Sequence, residues 1–187
     1  MAMPQMIDYL SSHYALSEEF RASLKSAHFQ KTYPKGHIIY PGKSFYSIYF
    51  INKGLAKGAY ESQDGKEHIT RLWQQGQAML LGPRNPAPRY GQDQIVLLED
   101  CVISGIQPAA MMSIYQTFPE AAKLASKILL EDIRLAAIKS MLCALPALEA
   151  YTRFTTLFPA ERFLLRDIAA YLEITPSTLS EIRRKRN

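Results

Sequence analysis

Between Phe29 and Ile106 the apolar residues of this chain fall in short β-branched and aromatic runs, and after Pro108 they fall at helical spacing. That change of period constrains the fold more than any composition figure does. A period of two buries one face of a strand and a period of 3.6 buries one face of a helix, so few segments suit both. The first stretch reads "GHIIYPG", "SIYFINKG", "LAKGAYESQDGKEHITRLWQQG" and "QIVLLEDCVISGI", punctuated by Gly36, Gly42, Gly54, Gly65 and Gly76. Short strands separated by glycine turns indicate a small antiparallel barrel or roll. Asp64-Gly65 marks a hairpin, because positive φ is cheap at that pair. "LGPRNPAPRYGQ" places three prolines in six residues and reads as an irregular loop.

Helical signals flank the strands. "SEEFRASLKSAHF" offers Ser17 as a cap and Phe20, Leu24 and Ala27 as an apolar stripe. Further on, Leu124, Ile128, Glu131, Leu135, Ile138, Leu142 and Leu145 are spaced 4, 3, 4, 3, 4, 3, which is coiled-coil spacing. A second stripe runs Ala125, Leu129, Ile133 and Ala136. A helix with two apolar faces covers two partners, its own barrel and a copy of itself. The heptad stripe is assigned to the copy, so a homodimer is expected through Leu124, Ile128, Leu135, Ile138 and Leu142. Pro146 ends this helix, and "ALEAYTRFTTLFP" forms a short amphipathic one after it.

In the closing segment Leu165, Ile168, Ala169 and Leu172 make one helical stripe, and Leu179 and Ile182 make another. Only "EIT" stands between them, which leaves room for a tight turn. Thr175 is a good cap, Pro176 occupies the first helical position, and Ile174 can staple onto Leu179. The pattern is that of a helix-turn-helix, with small Ala169 where the helices approach. With Leu179 and Ile182 inward, the second helix presents Ser177, Thr178, Ser180, Glu181, Arg183 and Arg184 outward. Hydroxyls near a helix N-terminus suit phosphates and close groove approach, a glutamate can accept from a cytosine amino group, and arginines suit guanine or phosphate. From Arg162 to Asn187 six lysines and arginines face three acids. The net charge of +5 agrees with a polyanionic partner.

Other classes find little support. Among 187 residues, 48% hydrophobic and 21% charged, no run approaches a membrane span, and "MAMPQMIDYLSSHY" lacks the features of a secretion signal, so a cytoplasmic protein is expected. Cys101 and Cys143 have no metal-type spacing and read as buried thiols. His28, His37 and His68 are the candidates for a cupin-like metalloenzyme, but they lack a close His-x-His pair with a following Glu. No nucleophile–base pair or paired acid–base site stands out, so no enzyme, metal or cofactor is expected.

The stretches "PKGHIIYPG", "YSIYFINKG", "DGKEHITRLWQQGQ" and "RDIAAYLEITPSTLSEIRR", in this order around a long helix, resemble the Crp/Fnr family of bacterial transcription regulators. The resemblance implies an α+β chain. An antiparallel double-stranded β-helix, or jelly-roll, sensor barrel would span residues 1–118, a dimerisation helix 119–145 and a DNA-binding helix-turn-helix 146–187. It further implies a palindromic double-stranded DNA operator, with Ser177 and Glu181 at base-reading positions and Thr175 and Thr178 at phosphate positions. Pro176 replaces an arginine that many relatives use on guanine. Glu173 replaces a glycine common at the turn, which costs stability if φ is positive. Relatives that bind cyclic nucleotides place a glutamate on the ribose where this chain has Leu81, and an Arg-Ser or Arg-Thr pair near Gly91 and Gln92. Leucine cannot accept those hydrogen bonds, so cyclic AMP is not the expected effector. A pocket for an unidentified small effector would involve Leu81, Arg84 and Arg89. The alternative within this resemblance is a sensor that acts through protein partners without DNA.

Overall fold

The computed structural model describes residues 5–40, 47–82 and 94–186. Two helices, α1 (Gln5–His13) and α2 (Glu18–Ala27), lead into the strands β1 (His28–Tyr33), β2 (Ile38–Ile39), β3 (Ser47–Lys53), β4 (Leu55–Glu61), β5 (Glu67–Gln74), β6 (Ala78–Leu81), β7 (Gln94–Leu97) and β8 (Cys101–Ile106). Then come α3 (Pro108–Thr117), α4 (Glu120–Cys143), α5 (Ala147–Leu157), a 3-10 turn at Ala160–Arg162, α6 (Leu165–Tyr171) and α7 (Pro176–Arg186). The positions Gly42, Arg84, Arg89, Gly91 and Gln92 lie outside the described residues. Among the described residues no helix is long and apolar enough to cross a membrane.

The strands form two antiparallel four-stranded sheets, ordered β1-β8-β3-β6 and β2-β7-β4-β5. Alternation along each strand sends one set of side chains between the sheets, where Ile51, Trp73, Met79, Leu81, Ile95 and Ile103 share one core. Leu81 is therefore a wall of that apolar interior. Asp64-Gly65 turns the β4–β5 hairpin, with Gly65 at φ +76° and its N–H donating to the Ser62 carbonyl. Gly54, between β3 and β4, has φ +120°, and a Cβ there would lie 2.3 Å from Cys101 Sγ. Only glycine fits that corner. Burial raises the Cys101 thiol above its usual range, as expected of a packed, unreactive cysteine.

Helices cover both outer faces. Against the first sheet, Met6, Ile7 and Leu10 of α1 and Phe20 and Leu24 of α2 pack with Phe50, Ala78, Ile106, Leu124 and Ile128. Ser17 caps α2 by accepting from the Phe20 N–H, and its hydroxyl donates to Glu120 at the start of α4 (2.6 Å). Against the second sheet, Leu55, Ile69 and Leu72 join Leu142, Phe154, Ile168, Tyr171 and Leu179 in one cluster. The last forty residues thus share their core with the strands.

The long helix corrects the expected dimer seam. Over 24 residues, about 36 Å, α4 spans both outer clusters. Leu124 and Ile128 are buried in the first and Leu142 in the second, while Leu135 packs on the inter-sheet core and Ile138 on the second cluster. The heptad stripe is spent on the chain's own sheets because these cores lie beneath it at both ends. Asp132, buried on the same side, pairs with Arg71 of β5 (2.9 Å). The uncovered face carries Leu129, Leu130, Ile133 and Met141, all more than 40% exposed.

Phe154 has no exposed surface and contacts the rings of Phe158, Phe163 and Tyr171. Phe154→Ala is expected to lower unfolding free energy in urea by about 3–5 kcal/mol. A loss below about 1 kcal/mol would contradict this packing.

Candidate nucleic-acid interface

Helix α6 owes its position to what it buries. Ile168, Ala169 and Tyr171 are almost fully enclosed, and Ala169 lets α7 approach closely. The chain leaves α6 through Glu173, whose φ of +56° is left-handed. A non-glycine residue there costs about 1 kcal/mol, so the strain foreseen for this position is present. The Glu173 carboxylate meets Lys139 of α4 (2.8 Å), and that hydrogen bond is the main cause of a pKa below the usual glutamate range. Ile174 N–H donates back to the Ala169 carbonyl (3.0 Å), which closes the turn.

At the start of α7 the Thr175 hydroxyl accepts from the Thr178 N–H (3.1 Å) and lies 2.8 Å from the hydroxyls of both Ser177 and Thr178. Thr175 is the N-cap and Pro176 follows it, where a missing N–H costs nothing. No acid occupies the first turn of α7. Its positive dipole end carries the hydroxyls of Thr175, Ser177 and Thr178, a setting that favours an anion. Leu179 and Ile182 anchor the helix in the shared core.

Opposite those anchors, Ser177, Ser180, Glu181, Arg184 and Lys185 are exposed, and Thr178 is half-buried. Positions 177, 180, 181 and 184 are spaced as one helical stripe. Arg183 does not join it. Its Nε donates to the Tyr151 hydroxyl (2.9 Å), its guanidinium lies over the Tyr151 ring, and a second nitrogen reaches the Ala160 carbonyl. The expectation that Arg183 faces a ligand is therefore corrected. A single residue step from the buried Ile182 carries it to the side of α5, where an aromatic face and a carbonyl engage it. Arg166, on the exposed surface of α6, is a cation the sequence reading did not single out.

A buried ion pair fixes these helices to the sheets. Lys57 of β4 is 5% exposed, and its ammonium donates to Asp167 of α6 (2.9 Å) and Glu67 of β5 (2.6 Å). Asp167 is itself 3% exposed. Arg162 pairs with Glu99 nearby. The basic tail is thus divided, with Arg162 and Arg183 committed to the protein and Arg166, Arg184 and Lys185 facing outward.

His28, His37 and His68 are not brought together. His37 stacks on Tyr33 and His68 on Tyr60, and burial lowers the His28 pKa. Among the described residues no group of three or more His, Cys, Asp or Glu side chains is placed to hold a metal ion.

Comparison with family models found no match, and comparison with curated proteins found none either. Solved structures do match. A Crp/Fnr-family regulator from Eubacterium rectale superposes with a TM-score of 0.69 at 12% identity, over 93% of this chain and 87% of that one. The fold is that of the Crp/Fnr regulators. Two more structures agree with this Crp/Fnr architecture. CLP, a c-di-GMP-responsive global regulator of Xanthomonas campestris, has a TM-score of 0.62 at 15% identity over 90% of this chain and 91% of its own. A CRP-family transcriptional regulator of Thermus thermophilus has 0.60 at 16% over 83% of each.

Breaking the buried pair on one side should reveal its role in holding the Crp/Fnr-like C-terminal helices. Asp167→Ala leaves the Lys57 ammonium with Glu67 alone and is expected to cost about 3 kcal/mol in urea melts. The paired variant Lys57→Met with Asp167→Leu should instead retain most of that stability. Equal damage from the single and paired changes would contradict the burial argument.

Proposed function

We propose that this chain is a DNA-binding transcription regulator of the Crp/Fnr type, in which the two sheets form a jelly-roll sensor and α6–α7 a helix-turn-helix. The observation that carries the reading is the outward stripe of α7, Ser177, Ser180, Glu181 and Arg184, set opposite the buried anchors Leu179 and Ile182. A helix with a small-hydroxyl start and a basic end can enter the major groove without steric conflict. Ser177 and Glu181 would meet base edges. The hydroxyls of Thr175 and Thr178, with Arg184, Lys185 and Arg166, would meet phosphates. The likeness of fold to known regulators supports the same reading.

The functional unit is a homodimer in this proposal, joined through Leu129, Leu130, Ile133 and Met141 of α4 rather than through the heptad stripe. Four large apolar side chains on one helix face are unusual exposure for a monomer. The 1–118, 119–145 and 146–187 segments then serve as sensor, dimer helix and reader. Leu81, inside the apolar inter-sheet core, supports an effector other than cyclic AMP.

Two substitutions separate positioning from readout. Arg184→Ala should weaken all duplexes alike and reduce the salt slope by about one unit, whereas Glu181→Ala should change the preferred base at one operator position by about 1–3 kcal/mol. Titrations of labelled duplexes at several salt concentrations distinguish the two. If Glu181→Ala binds with unchanged preference, α7 does not read bases. Ile133→Lys should convert the dimer to a monomer in light scattering, and a monomeric unmodified protein at micromolar concentration would contradict the assignment of this face.

A further inference from the structure

We infer that the space between α1–α4 and the outer face of the first sheet is a binding site for a small uncharged apolar molecule. The cavity has a volume of about 220 Å³, and its walls include Leu10, Phe20, Leu24, Ile114, Leu124 and Ile128. The pocket is open on the side of Tyr115 and Leu129, and for scale a closed apolar cavity of about 150 Å³ admits a benzene-sized guest, so its volume suffices for a substituted ring or a short alkyl chain.

The lining sets the chemistry of the guest. Among the described residues, no lysine, arginine, histidine or carboxylate contributes to it. Its polar side chains are Ser126, whose hydroxyl donates to the Ala122 carbonyl (2.9 Å), and Tyr115, which is 43% exposed. A charged ligand would lose its hydration there without gaining a partner. An apolar one exchanges water for Leu, Ile and Phe surface, and Met111 can adapt its shape at the edge.

Position gives the site a consequence. Leu124 and Ile128 are on α4, and Leu129, which also borders the cavity, belongs to the exposed stripe assigned above to dimer contact. A guest wedged beside Leu124 and Ile128 bears on the helix that joins the sheets to the α5–α7 module. Its role as an effector rests on the regulator reading, whereas the site itself does not.

Toluene serves as the probe, with benzoate as the charged control, on the full chain. Calorimetry and thermal shift should give saturable toluene binding with a dissociation constant at or below about 1 mM, and none for benzoate. Ala125→Phe should abolish toluene binding by filling the cavity, with the fold checked by circular dichroism. Leu24→Ala, which enlarges the cavity, should instead extend binding to bulkier alkylbenzenes. A flat titration of the unmodified protein overturns the site. So does binding retained in folded Ala125→Phe, or binding that falls as protein concentration rises, since a second copy would then occupy the mouth. Operator affinity measured with and without saturating toluene should differ at least threefold. An unchanged affinity overturns the effector role, and absence of any DNA binding overturns the regulator reading while the toluene data stand.

Discussion

The contact on which this arrangement turns is the buried pair between Lys57 and Asp167. One partner lies in the middle of a strand and the other on α6, 110 residues later, and both are almost fully enclosed. Apolar contact between Leu55, Ile69, Leu72 and the C-terminal helices supplies most of the attraction, but apolar surfaces slide. An ammonium that must meet the buried Asp167 carboxylate in a low-dielectric setting does not. The pair therefore acts on orientation more than on stability, consistent with how buried ion pairs behave when both members are replaced. Because α6 is held in one place, the exposed stripe of α7 has a defined direction relative to the sheets.

The long helix transmits that constraint. Its heptad side is bound to the first cluster at Leu124 and Ile128, to the sheets at Asp132–Arg71, and to the second cluster at Leu142, and Lys139 reaches the turn at Glu173. The same helix borders the apolar pocket and carries the uncovered face, so the proposed sensing, assembly and reading would meet along one element.

Much of this was legible in the sequence because it depends on neighbours along the chain. Asp64-Gly65 gave the hairpin, Ser17 and Thr175 the caps, and Leu179 and Ile182 the inward side of α7. What was not legible depends on distant partners. Both stripes of α4 are apolar, and only the placement of the two clusters decides which one is covered. Arg183 looks like its neighbour Arg184 until Tyr151, 32 residues away, draws it inward. The helix α1 carries three buried residues at Met6, Ile7 and Leu10, too short a pattern to distinguish from an irregular terminus before its partners are known. Lysine in "LAKGAY" was a faint sign of the buried pair, since a charge inside an apolar strand calls for a partner.

Selection of bound sequences from a random duplex library at low salt tests most directly whether α7 reads duplex DNA from a dimer. The account predicts enrichment of inverted half-sites with centres about one helical turn apart, roughly 34–36 Å. A library that emerges without any paired motif, or a protein that retains no duplex at low salt, would contradict it.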